Sequence, residues 1–185
     1  MGVDGDRSFK QALLNAAAAC ALICMPLAAW SQVPPSAESV KAVYLYKFIP
    51  YVEWPAASFT SESDPLVLCV IGSDPVASLA DDAVRGQTVG RRPIVVRHLA
   101  YAQRESTCHM MYIAGARDEA VAAAVDAGRG RPVLTITDFA SEGKAQPIIR
   151  FVMQDNRVRF EVDQRAAADS GLIISSKLLA LSVKR

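Results

Sequence analysis

VKAVYLYKFIPYVEWP, residues 40–55, decides how the chain reads, because Tyr44, Tyr46, Phe48, Tyr51 and Trp54 fall within eleven residues. At about 100° per residue, Val40, Tyr44, Phe48, Tyr51 and Trp54 share one helical face, while Leu45, Ile49 and Val52 lie elsewhere and Tyr46 sits almost opposite. A helix apolar over most of its circumference needs two neighbours. One is the domain's own core; the other is a second layer of the same domain or a partner chain. Pro50 lacks an N–H and clashes with the carbonyl of Tyr46, so the helix is expected to kink or restart there.

Downstream, apolar runs alternate with helical patterns. Pro65 to Gly72, PLVLCVIG, is a continuous apolar run and reads as a strand buried on both faces. Ser73 or Asp74 caps the next helix, with Pro75 in its first turn, Val76, Leu79, Ala80 and Val84 inward and Gly86 at its stop. Pro93–His98 and Cys108–Ala114 read as the second and third strands. Ala116–Ala127 is a helix ended by Gly128, and Pro132–Thr137 is the fourth strand. This alternation predicts an α/β fold: a mixed, mostly parallel sheet with helices on both faces, joined by right-handed crossovers.

The end of the chain changes style. Ile148–Met153 and Val158–Val162 flank Asp155-Asn156, which tolerate the positive φ of a tight hairpin, so an antiparallel pair is expected at one edge. Val158, Phe160 and Val162 point inward, and Arg157, Arg159, Glu161 and Asp163 face solvent. A helix over Gln164–Ser170 ends at Gly171. Ser175 or Ser176 caps the last helix, KLLALSV, whose leucines pack inward.

Ahead of the aromatic helix lies an address. Arg7 and Lys10 precede an apolar run over residues 12–29, followed by Ala29-Trp30-Ser31, the pattern of a signal peptide cleaved after Ser31. Cys20 and Cys24 leave with it. The remaining 185 − 31 = 154 residues make one domain, residues 32–185. Asp4 and Asp6 balance Arg7 and Lys10, so the mature chain keeps the net charge of +1, which points to no nucleic-acid partner. Arg91, Arg92, Arg129 and Arg131 read as solvated surface.

Only Cys69 and Cys108 survive cleavage. In an oxidising compartment, two cysteines on neighbouring core strands most simply form a disulfide. Two buried free thiols are the alternative, and a bridge of this kind is either a staple or a redox switch.

The order of VKAVYLYKFIPYVEWP, LCVIGSDP, the strand opening at Cys108, PVLTITD, RFVMQDNRVRFEVD and GLIISSKLLAL resembles the YfiR family over nearly all of the mature chain. The motifs are singly soft; their order and spacing carry the resemblance. It implies a periplasmic protein without enzyme activity or cofactor. Such a protein binds the periplasmic sensor domain of an inner-membrane diguanylate cyclase and holds it inactive. It also implies a homodimer, regulation by redox state and by an outer-membrane lipoprotein, and a bridge at the positions of Cys69 and Cys108. The chain departs from the family at Glu142-Gly143-Lys144-Ala145-Gln146-Pro147, where many relatives have a glycine pair and some a second cysteine pair.

Enzyme readings find little footing. His98, His109, Cys108 and Glu105 match no strong metal or nucleophile spacing. Gly128-Arg129-Gly130-Arg131 follows a helix and is no phosphate loop, and Ser175-Ser176-Lys177 misses S-x-x-K by one residue. Two binding readings remain. In the first, Tyr46, Phe48, Tyr51 and Trp54 contact a partner protein, since amphipathic aromatics anchor such interfaces. In the second, the chain is a small-molecule sensor whose ligand sits at the carboxyl ends of the strands, near Ser73, Asp74, His98 and Asp138.

Overall fold

A computed structural model describes residues 34–115, 118–139 and 146–184. The signal segment and most of the Glu142–Pro147 departure lie outside the described residues. From the amino end, the Ser36 hydroxyl accepts from the N–H of Ser39 at 3.2 Å and caps α1, Ala37–Phe48. The helix then stops rather than kinking. Ile49–Tyr51, with Pro50 inside it, is a single 3-10 turn, and Val52–Glu53 is already strand β1. Tyr51 and Trp54 therefore leave the helical face on which periodicity placed them.

Strand β2 is Leu66–Ile71, with all six side chains buried. Helix α2, Pro75–Val84, follows under an Asp74 cap, whose carboxylate accepts from Ala77 N–H at 2.6 Å. Then come β3, Thr88–Val89; β4, Arg92–Leu99; β5, Met110–Ile113; α3, Asp118–Gly128; and β6, Leu134–Thr137. The chain closes with β7, Ile149–Gln154; β8, Arg157–Val162; α4, Gln164–Asp169; β9, Ile173–Ile174; and α5, Ser176–Leu181.

The seven-stranded sheet runs β3-β4-β2-β5-β6-β7-β8. Its four inner pairings are parallel, and the edge pairs β3–β4 and β7–β8 are antiparallel. The expected mixed, mostly parallel sheet is what forms. Alternation along the strands sends Leu66, Leu68, Val70, Tyr112 and Ile136 to one face, against α1 and α2. Val67, Ile71, Met111 and Ile113 go to the other, against Val121 and Val125 of α3. Where the winding reverses, between β2 and β5, the two following loops touch. Gly72 has φ +81°, and a Cβ there would lie 2.9 Å from the Ala114 carbonyl oxygen, so only glycine fits.

The hairpin turn has φ of 49° at Asp155 and 56° at Asn156, the doubly left-handed turn that matches strand twist. Glu161 departs from expectation. It lies opposite Arg150 in the ladder, is 8% exposed and accepts from the Arg150 guanidinium at 2.7 and 3.1 Å. The second strand is therefore buried on part of its charged face, because a facing arginine satisfies the carboxylate. In α5, Leu178 packs inward but Leu181 is 62% exposed, so the leucines do not all reach the core. Two short pieces escaped periodicity: β3, and the β1–β9 ribbon, which pairs Val52 with Ile174 and Glu53 with Ile173. At two residues each they are too short to show alternation.

Candidate functional site

The aromatic stretch divides between core and surface. Phe48 is 1% exposed. Its ring lies 5.5 Å from Tyr44, 5.8 Å from Phe151 and 4.9 Å from Phe160, so α1 is bolted onto the β7–β8 hairpin. Tyr46, Tyr51 and Trp54 are half-buried and reach the surface. The Trp54 indole N–H donates to the His109 carbonyl at 3.1 Å. The Tyr51 carbonyl accepts from Ser175 N–H at 2.9 Å, which binds the end of the aromatic stretch to the carboxyl-terminal segment. Ile173 and Leu181 flank this corner at 63% and 62% exposure, two surface groups that the sequence reading had not singled out.

Cys69 and Cys108 form a disulfide with a Cα separation of 5.8 Å. Both sulfurs are buried in the smaller core, so the bridge fastens the lead into β5 to the centre of the sheet. Beside it, His109 Nδ1 accepts from Val67 N–H at 3.0 Å and Nε2 lies 3.0 Å from the Ser58 carbonyl. One tautomer satisfies both contacts, the neutral ring protonated on Nε2. The ring stacks on Phe59 at 4.5 Å, and the Arg92 guanidinium sits 3.7 Å from the Phe59 centroid. Arg92 also donates to the carbonyls of Ser61 and Asp64, so it is a tie for the 56–65 loop rather than solvated surface. Within that loop Asp64 accepts from Ser61 and Thr60, which hold its carboxyl well below the usual carboxylate range.

Burial lowers the His109 pKa from its ordinary 6.5, Arg92 adds to the shift, and the Ser58 bond and Asp64 oppose it. The unfolded chain therefore binds more protons below pH 6.5 than the folded one. The neutral ring's contribution is present above that pH and is lost as pH falls through the folded pKa. The expected result is a lower denaturation midpoint at about pH 5.5 than at about pH 7.5. His109→Gln should flatten that difference; an unchanged slope would show that other groups carry it.

At the carboxyl ends of the strands, the structure brings Asp74 and Asp138 around Tyr112. Asp74 caps α2 with one oxygen and accepts from the buried Tyr112 hydroxyl with the other, at 2.7 Å. Burial and then this bond push the Tyr112 phenol above its ordinary range. Asp138 accepts from Lys41 Nζ at 2.9 Å. A cavity of 260 Å³ opens beside it, lined by Lys41, Asp138, Arg150 and Met153. Ser73 is exposed and bonds nothing of note. His98 sits apart on β4, 2.6 Å from Asp81 of α2. Tyr112 was the member sequence reading missed, since a tyrosine inside an apolar run reads as core.

The imagined histidine and cysteine site does not assemble. Cys108 is consumed by the disulfide, both His109 nitrogens face backbone, and His98 bonds α2. Ser175 is the cap of α5, accepting from Lys177 N–H.

What the geometry defines is a disulfide-stapled α/β scaffold with a half-exposed aromatic corner. Residues 38–183 match the family described as YfiR/HmsC-like, and the chain belongs to that family. The match runs from the first turn of α1 to just past α5. No curated protein matches the sequence.

Proposed function

We propose that the chain is a periplasmic regulator that binds the sensor domain of an inner-membrane diguanylate cyclase and represses it, lowering cyclic di-GMP. It acts without catalysis of its own, as residues 32–185 after cleavage at Ser31, and as a homodimer. An outer-membrane lipoprotein is a further regulatory partner in this reading. The family match carries this reading. Among the described residues, no helix is long and apolar enough to cross a membrane.

The docking residues in this reading are Tyr46, Tyr51 and Trp54; Phe48, in the core, fixes their backbone. Tyr46 gives the cleaner test, because Trp54 also holds the His109 carbonyl. Tyr46→Glu is expected to reduce capture by the cyclase sensor domain by tenfold or more, while the variant stays folded with a cooperative unfolding transition only slightly lowered. Unfolding of the variant would show that Tyr46 is only core, and full capture would remove it from the interface.

A second reading, a small-molecule sensor, is favoured by the 260 Å³ cavity beside Asp138. Asp74, bonded to the Tyr112 hydroxyl, and Ser73 would extend that site along the strand ends, while His98 stays apart with Asp81. A thermal-shift screen of periplasmic metabolites that moves nothing counts against it. The two readings are compatible, with ligand occupancy biasing partner affinity.

A further inference from the structure

We propose that the cleft between α1, β8 and α5 binds a small anionic amphiphile, a single-chain carboxylate of about eight carbons. The cleft measures 240 Å³, room for about eight water-sized groups. Phe48 and Phe160 are part of its lining and are 1% and 3% exposed, held in the aromatic stack, so that wall is preformed. Tyr51, Leu178 and Leu181 also line it. Leu178 is 2% exposed and Leu181 62%, so the lining grades from core to solvent. Val183 N–H donates to the Phe160 carbonyl at 2.9 Å, so the carboxyl-terminal tail crosses this wall. A recess of 240 Å³ fits an acyl chain better than a helix or strand of a partner.

Charge selects the head group. Lys47 and Arg159 line the same cleft, and among the described residues neither has a carboxylate within ion-pair distance. The cations of the strand-end cavity, Lys41 and Arg150, are by contrast already paired with Asp138 and Glu161. Two positive charges with no carboxylate partner among the described residues, Lys47 lying 5.0 Å from the Tyr46 ring centroid, stand beside an apolar recess and match a carboxylate on a hydrocarbon chain.

The test is calorimetric titration of the purified protein with octanoate, and with octanamide and acetate as controls for charge and chain. Saturable binding of octanoate at one site is expected, with both controls at least tenfold weaker. Methyl NMR should place the shifts at Leu178 and Leu181. Lys47→Gln with Arg159→Gln, both at exposed positions, should weaken octanoate at least tenfold without moving Tm. No saturation at millimolar octanoate overturns the proposal, as it would if a second copy or a partner segment filled the cleft. Equal binding of octanamide, full binding to the double variant, or shifts at the strand-end cavity overturn it equally.

Discussion

Phe48→Ala is expected to lower the stability of the domain by about 3–5 kcal/mol, the cost of truncating a fully buried phenylalanine and leaving its cavity. The ring is 1% exposed and packs on Tyr44, Phe151 and Phe160. Its loss therefore uncouples α1 from the β7–β8 hairpin as well as removing transfer energy. Tyr46→Ala, on a half-buried residue two positions away, should cost about 1 kcal/mol. Urea unfolding of the two variants side by side checks the contrast. Equal costs would mean that the two aromatics share one environment, against the division between core and surface described above.

Replacing both Cys69 and Cys108 by alanine should cost about 4 kcal/mol on the chain-entropy account. The bridge spans a sequence separation of 39, and its loss frees the whole segment from the centre of β2 to the lead into β5 in the unfolded chain. In a domain whose total stability is of order 5–15 kcal/mol, that is a large fraction. Guanidinium unfolding of the wild type, with and without reductant, reads the same quantity without mutation. A difference below about 1 kcal/mol would show that native packing rather than the cross-link sets the stability here. Because both sulfurs are buried, reduction should also be slow in the folded protein and speed up as denaturant opens the smaller core.

Much of the fold was legible because its signals are local and repeated. LVLCVI announces a doubly covered strand, Asp74-Pro75 announces a helix start, and Asp155-Asn156 announces a two-residue turn; each appears as read. The errors fall where a distant partner decides. Pro50 reads as a kink or restart of a helix, but a single 3-10 turn and a strand follow, and Val52 pairs there with Ile174, over a hundred residues away. Glu161 looked solvated because strand alternation cannot see Arg150 on the opposite strand. Leu181 looked buried because the leucine spacing of a short helix does not record where its neighbours end.

The site was less legible than the fold. Aromatic content pointed to one corner of the molecule, yet not to which rings surface, since Phe48 and Tyr46 differ in the direction their side chains take from one helix. The ends of the parallel strands were placed correctly by topology. Whether Asp74, Asp138 and His98 come together depended on Tyr112 and Asp81, which no spacing rule connects to them.

The proposed repression of a diguanylate cyclase is tested most directly by the cyclic di-GMP content of cells lacking this chain. Deletion is predicted to raise cyclic di-GMP, wild-type chain expressed in trans to restore it, and the Tyr46→Glu chain, exported and folded, to leave it raised. An unchanged cyclic di-GMP level on deletion would contradict the claim.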